Sequence, residues 1–131
     1  MTLASGATIN IDASEISTIL GHETGSIVGA FGDFEDGGSR LTISDQDIVV
    51  TGNISVDDAN LLSATTTGTV TASITTTESI TELKTLTETS NAYTIVISSA
   101  DAIATAEDLS AIDGKTTVTI DATAVLSLIH I

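Results

Sequence analysis

The densest group of candidate ligands in the sequence is an acidic, glycine-rich stretch at positions 32–38. It holds three carboxylates, Asp33, Glu35 and Asp36, among three glycines. Calcium prefers clustered carboxylate and carbonyl oxygens, which such a loop can supply. The spacing fits neither the EF-hand loop nor the glycine- and aspartate-rich calcium nonapeptide. The stretch therefore predicts either a calcium site at these three carboxylates or a solvated loop. A sparser acidic set follows at Asp45, Asp47, Asp57 and Asp58.

Catalytic constellations are much weaker than this acidic loop. His22, in the string GHET, follows Gly21, and we expect it to be a turn residue. A serine hydrolase needs Ser, His and Asp side chains that converge, and the sequence has no GxSxG motif. It also has no phosphate-binding loop and no dinucleotide fingerprint. We therefore predict a protein that is not an enzyme, with no catalytic and no cofactor-binding residues.

The charge of the chain excludes several classes of partner. Three basic residues face 18 acidic ones, for a net charge of −15. Nucleic acid is excluded because phosphate binding requires clustered Lys and Arg. No apolar run is long enough to span a bilayer, so membrane insertion is not expected. We interpret the acidity as the solubility of an extracellular or salt-adapted surface.

The apolar residues are of a kind that suits thin, stacked layers. Hydrophobic residues make up 41% of the chain but aromatic residues only 2%. Compact globules of this size usually bury several large rings, and here Ala, Val, Ile and Leu take their place. Threonine, which favours strands, occurs 24 times.

Internal repeats are the main signal in the sequence. The segments 54–74, 74–97 and 97–120 each begin with hydroxyl and acidic residues, continue with Leu or Ile at helical spacing, and end in an alternating strand. Their closing isoleucines, Ile74, Ile97 and Ile120, are equally spaced and predict a constant step from one unit to the next. Strands joined by such crossovers must run parallel.

Helix boundaries can be predicted within these repeats. A hydroxyl three residues before a carboxylate is typical of a capping box. Such pairs occur at Ser55–Asp58, Thr75–Glu78 and Thr105–Asp108. Asn91 and Gly114 stand where a left-handed residue would end a helix. We predict a repeat solenoid of parallel β-strands stacked in coils, with short helices or helical turns between them. The alternative is an all-β parallel β-helix.

The chain divides into three parts on this interpretation. Residues 1–52 form irregular N-terminal coils that include the acidic loop at 32–39 and a helical turn at 14–20. Residues 53–125 form the solenoid repeats, and the string at 118–125 resembles that at 9–16. The last six residues, LSLIHI at 126–131, match the translated end of a transposase adapter used in DNA library preparation. We expect this tail to be non-native.

The repeat strings, such as ITELKTLTETSNAYTIVIS and ATAEDLSAIDGKTTVTIDATAV, resemble units of very large Thr-rich repeat proteins of aquatic bacteria, cyanobacteria especially. The resemblance covers roughly residues 43–125. It implies an extracellular or cell-surface location and a structural role as a stalk, spacer or adhesin-like display segment. It transfers no site residues. Alternatives are a virion fibre or tail-associated structural protein and a calcium-dependent binding module.

Two expectations about surfaces follow from the solenoid prediction. The partners of each repeat are neighbouring repeats of the same chain, and exposed solenoid ends are expected to self-associate. Strand threonines on successive coils predict either ordinary solvent-facing positions or a regular array that matches ice or glycan surfaces. These threonines are Thr69, Thr71, Thr94, Thr117 and Thr119.

Overall fold

A computed structural model describes residues 45–98 and 103–126 in full, and the backbone alone at 11–12, 18–21, 41–42 and 127–129. Its strands are β1 (Ile11–Asp12), β2 (Thr18–Gly21), β3 (Leu41–Thr42), β4 (Asp47–Ile54), β5 (Val70–Ile74), β6 (Ala92–Thr94), β7 (Ile103–Thr105) and β8 (Ser127–Ile129). Its helices are α1 (Val56–Thr65), α2 (Ile80–Leu83) and α3 (Ala106–Asp113). Strand and helix therefore alternate from β4 to β6, and we call each strand with the segment that leads to the next strand a coil.

The strands pair in parallel and in chain order. One sheet has the order β2-β4-β5-β6, and each of its pairings is parallel. Parallel neighbours need a crossover connection. Helix α1 makes the crossover from β4 to β5, and α2 makes the one from β5 to β6. Strands β1 and β3, and strands β7 and β8, form two further parallel pairs.

The register between coils does not follow the constant step predicted from the isoleucines. Ser73 pairs with Thr94, which makes this step two residues shorter than the isoleucine spacing. Val96 bridges Asp121, which makes the next step two residues longer, so the predicted alignment of Ile97 with Ile120 is wrong. A shift of two residues keeps the same side chains on the buried face, because the side-chain period of a strand is two. The hydrophobic pattern thus determines which face of each strand is buried. It does not distinguish registers that differ by two residues.

One face of the sheet is buried and the other is exposed. In β5, Val70, Ala72 and Ile74 are buried whereas Thr71 is exposed. The helices cover the buried face, where each fully buried Val, Leu or Ile contributes about 1.5–3 kcal/mol. The core residues from strands, helices and connections are Ile48, Val50, Ile54, Val56, Ala59, Leu62, Val70, Ala72, Ile74, Ile80, Leu83, Leu86, Tyr93, Ile95, Ile97, Ala104 and Ile112.

Two of the three predicted helix starts are confirmed. Ser55 is the N-cap of α1, and its hydroxyl accepts a hydrogen bond from the Asp58 N–H. Thr105 is the N-cap of α3 and forms a full capping box with Asp108. In both places a side-chain oxygen satisfies a backbone N–H that has no partner within the helix.

The third predicted start, at Thr75 and Glu78, is wrong. Helix α2 begins further along the chain, with Ser79 as the N-cap and Glu82 completing the capping box. The Glu78 carboxylate instead accepts a hydrogen bond from the Val56 N–H, at 3.2 Å. A contact with the preceding coil therefore takes the carboxylate that the local pattern assigned to a cap.

Both predicted left-handed helix ends, and one predicted helical turn, are also wrong. Gly114 ends α3 in the right-handed region, with φ −67° and ψ −5°. Asn91 is a buried residue that directly precedes β6, well beyond the end of α2. Within the predicted turn at 14–20, residues 18–20 belong to β2. Strand pairing with β4 overrides the weak local helical pattern there.

Candidate functional site

The candidate metal ligands, and the histidine that is predicted to be a turn residue, lie outside the described part of the chain. This applies to the candidate calcium ligands Asp33, Glu35 and Asp36, and to His22. Within residues 45–98 and 103–126, no three His, Cys, Asp or Glu side chains are placed to hold one metal ion.

Three carboxylates of the sparser acidic set accept hydrogen bonds, two of them from close in sequence and one from the next coil. The Asp45 carboxylate accepts from the Gln46 amide at 2.9 Å, and that of Asp47 accepts from the Thr69 N–H at 2.8 Å. Asp58 accepts from the Ser55 hydroxyl at 2.8 Å. Asp57 is exposed in the first turn of α1. These carboxylates are therefore separate supports of turns and helix starts, not a shared ligand set.

The most distinctive polar group in the described core is the amide of Asn91, which is 1% exposed. Its oxygen accepts a hydrogen bond from the Val70 N–H at 2.8 Å, which links it to the preceding strand. Its nitrogen donates to the Ser63 hydroxyl at 2.9 Å and to the Tyr93 hydroxyl at 3.0 Å. One amide therefore joins two strands to helix α1.

The hydroxyl of Tyr93 completes this buried network. It accepts from Asn91 and donates to the carbonyl oxygen of Ala59 in α1, at 3.3 Å. Burial raises the pKa of the Tyr93 phenol, so the group stays protonated and neutral. A neutral, hydrogen-bonded phenol inside the core has a structural role, because no substrate can reach it without opening the coil.

Sequence reasoning missed the role of Asn91, although the string carries the signal. Asn91, Tyr93, Ile95 and Ile97 stand at every second position, and all four are buried. The alternating pattern of buried residues therefore begins at Asn91, two residues before the first apolar member, Tyr93. A polar residue at such a position predicts a buried hydrogen-bonded amide, because an unpaired one costs about 1–3 kcal/mol.

On the helix side, Asn60 of α1 connects its coil to the next one. Its amide nitrogen donates to the Thr85 carbonyl oxygen at 3.1 Å, and its oxygen accepts from the Thr87 N–H at 2.9 Å. This pair of bonds satisfies two backbone groups in the turn after α2. The side chain thus provides hydrogen bonds between two coils at a place where no described strands pair.

An ion pair connects the following two coils. The Lys84 ammonium group lies 2.6 Å from Asp108 of the α3 capping box, and the two side chains are 40% and 23% exposed. The hydrogen bond from Lys84, followed by the one from Thr105, lowers the pKa of the Asp108 carboxyl. The described residues include few cations, and this pair places one of them between two successive helices.

On the strand side, Thr116 substitutes for part of a ladder. Its hydroxyl accepts from the Tyr93 N–H at 2.9 Å and donates to the Tyr93 carbonyl oxygen at 2.7 Å. The chain bends at residues 117 and 118, so no regular strand forms there to hydrogen-bond with the backbone of Tyr93. We call Asn60, Lys84, Asn91 and Thr116 the coil-linking residues, because each binds backbone or side chain of a neighbouring coil.

A tight turn precedes β5. The Thr66 hydroxyl donates to the Gln46 carbonyl oxygen at 2.6 Å and accepts from the Gly68 N–H at 2.9 Å. A Cβ atom on Gly68 would collide with the backbone of Gln46. The glycine is therefore required here by the close approach of two backbone segments.

The exposed sheet face has no regular threonine array at its described pairs. Thr71 is the register partner of Val49 on one side and of Ala92 on the other. Thr94 is the partner of Ser73, in a different row. The β4–β5 register also shifts between Val49 and Asn53. A lattice match to ice would need equal spacing of like groups, which these rows do not provide.

The polar side chains described above hydrogen-bond to helix starts, to turns and to neighbouring coils. No helix in the described part of the chain has the length and apolar character needed to cross a bilayer. The chain matches no protein-family model, and no similar curated protein or solved structure was found.

Proposed function

We propose that the protein is a structural repeat segment of a large secreted or cell-surface protein, serving as a stalk, spacer or adhesin-like display element. The observation that carries the proposal is the direction of its polar side chains. The coil-linking residues all bind neighbouring coils, at sequence separations from 21 to 28 residues. These polar side chains form hydrogen bonds within the protein, whereas an enzyme would direct such groups toward a substrate.

The pairing pattern supports a solenoid in which each coil contacts its neighbours. Strands β2, β4, β5 and β6 follow one another in the sheet, and β3 pairs with β1 in a sheet of their own. Stacked repeats gain stability from such nearest-neighbour contacts, which can be extended by adding coils. A protein that grows in one direction at constant width is suited to spanning distance.

Helices α1 and α3, of 10 and 8 residues, favour the strand–helix coil over a plain β-helix. Each has a proper N-cap and contributes buried residues to the core. The composition fits the same proposal, because Val, Ile and Ala fill the thin space between a sheet and short helices. The strongly acidic surface keeps such an extended protein soluble.

Sequencing the source DNA through the codon for Val125 with long reads tests the proposal. We expect the frame to continue into further units of about 20–29 residues, the range of strand–helix repeats, and to carry an export signal. Fractionation of source cells should then place the product at the surface or in the medium. A natural stop directly after Ile131, or a product confined to the cytoplasm, would refute the proposed role.

A further inference from the structure

Strand β6 departs from the constant step of the repeats on both of its sides. Its step from β5 is two residues shorter than the constant one, and the step to the next coil is two residues longer. A slide of β6 by two residues would therefore align Thr71 with Thr94, in place of Ala92, and give both sides the constant step. Residues 88–90, which precede β6, are all exposed and can absorb the change in length.

Most contacts of β6 do not distinguish these two registers. The ladder with β5 and the bonds from Thr116 involve backbone groups of β6, which are the same at each position of the strand. After the slide, Ile95 would take the place of Tyr93, so an apolar side chain would again face the core. The choice of register must therefore come from a side chain of this segment that needs a specific partner.

Asn91 has such a need. Its amide is 1% exposed and hydrogen-bonds to the Val70 N–H and to the hydroxyls of Ser63 and Tyr93. A slide by two residues would carry Asn91 about 6.6 Å along the strand direction, away from Val70 and Ser63. A buried amide that loses its partners is destabilised. The bonds to β5 and α1 can therefore form in one of the two registers and not in the other.

We propose that Asn91 is the register-determining residue of β6, and that without its amide the strand exchanges between the observed and the slid register. A single buried polar side chain can specify register in this way where apolar packing alone permits two alignments. Such a residue would keep a stacked coil in one alignment. The inference rests on the coil stacking in the proposed function, but its test needs neither sequencing nor localisation.

Disulfide formation between introduced cysteines can report the register, because the chain has no cysteine of its own. Thr71→Cys with Ala92→Cys joins partners of the observed register, and Thr71→Cys with Thr94→Cys joins partners of the slid one. Register partners on adjacent strands are about 4.8 Å apart, within reach of a disulfide, whereas residues displaced by two are about 8 Å apart and beyond it. Mass spectrometry of the purified full chain measures the initial oxidation rate of each pair. The pair of the observed register should close at least about tenfold faster.

The deciding variant is Asn91→Leu, with Asn60→Leu as its matched control. The amide of Asn60 also links α1 to the following coil, but its partners lie in the turn after α2 and not in β6. Asn91→Leu should raise the oxidation rate of the slid-register pair at least about tenfold, and Asn60→Leu should leave it unchanged. Circular dichroism checks that both variants fold. If Asn91→Leu does not fold, Ser63→Ala combined with Tyr93→Phe replaces it, because this variant removes two partners of the amide.

Three results would overturn the proposal. They are equal oxidation rates of the two pairs when no other residue is changed, an unchanged rate of the slid-register pair in the deciding variant or its replacement, and an equal rise of that rate in Asn60→Leu. A chain that keeps one register in every variant, while the source DNA continues into further units, would leave the structural role standing and remove the register-determining role. A slide released by Asn91→Leu in a chain with a natural stop after Ile131 would do the reverse.

Discussion

The amide of Asn91 offers the sharpest test of the core, through the substitution Asn91→Ala. The change removes the acceptor of the Val70 N–H, which is buried between two strands. It also removes one partner each from Ser63 and Tyr93. An unsatisfied buried donor costs about 1–3 kcal/mol, and each further lost bond about 0.5–1.5 kcal/mol.

The Tyr93 hydroxyl keeps its bond to Ala59, and the Ser63 hydroxyl can rotate, so the further losses fall at the lower end. We therefore expect Asn91→Ala to lower the free energy of unfolding by about 3 kcal/mol. Ser63→Ala removes a single partner and should cost about 1 kcal/mol. Thr94→Ala, at an exposed position next to Tyr93, is the control and should stay within about 0.5 kcal/mol.

Urea unfolding followed by far-ultraviolet circular dichroism measures these differences, with the fluorescence of the single tyrosine as a second probe. Coincident transitions by the two probes would justify a two-state treatment. A loss below about 0.5 kcal/mol for Asn91→Ala would refute the reasoning, because the buried amide would then not be holding the strands. A loss equal to that of Thr94→Ala would have the same meaning.

Further predictions concern a helix start, a tight turn, acid stability and the acidic loop. Ser79→Ala should lower the free energy of unfolding by about 1 kcal/mol in a urea titration, whereas Thr75→Ala, at the start predicted from sequence, should have less effect. Gly68→Ala should lower the thermal midpoint by several degrees, since about 1 kcal/mol corresponds to 4–8 °C in a small domain. The pKa of Asp108 is lowered in the folded state, so its contribution to stability is present above the unfolded pKa and is lost as the pH falls through the folded pKa. Urea midpoints measured downward from neutral pH should accordingly decrease in acid, and Asp108→Asn should flatten that decrease. Calorimetric titration with calcium separates the two interpretations of the stretch at 32–38. Heat that disappears when its carboxylates are converted to amides would indicate a calcium site, and no heat at millimolar calcium would indicate a solvated loop.

Much of the local structure could be read from the sequence. The alternation at 70–74 identifies β5 and its buried side, and the pairs Ser55–Asp58 and Thr105–Asp108 mark two real helix starts. These features depend on groups only a few residues apart, which the sequence places directly. Period-two burial and hydroxyl–carboxylate capping are therefore visible without the fold.

Two of the failed predictions share one cause, which is competition from more distant parts of the fold. Glu78 fits a cap with Thr75, yet a backbone N–H of the previous helix takes its carboxylate. Asn91 resembles a turn residue, yet the Val70 N–H and Tyr93 hydroxyl draw its amide into the core. Each of these partners is remote in sequence or hidden by the pleat, so local spacing gives no warning of it.

The sequence by itself determined which side of each strand is buried, because apolar residues at every second position can be removed from water in only one way. It also predicted two helix starts, because a hydroxyl three residues before a carboxylate can cap a helix. Only the tertiary structure decided the register, where a shorter step from Ser73 to Thr94 and a longer one from Val96 to Asp121 replace the predicted constant step. A slip of two residues preserves the buried face, so the hydrophobic pattern cannot distinguish these registers, and hydrogen bonds between coils make the choice.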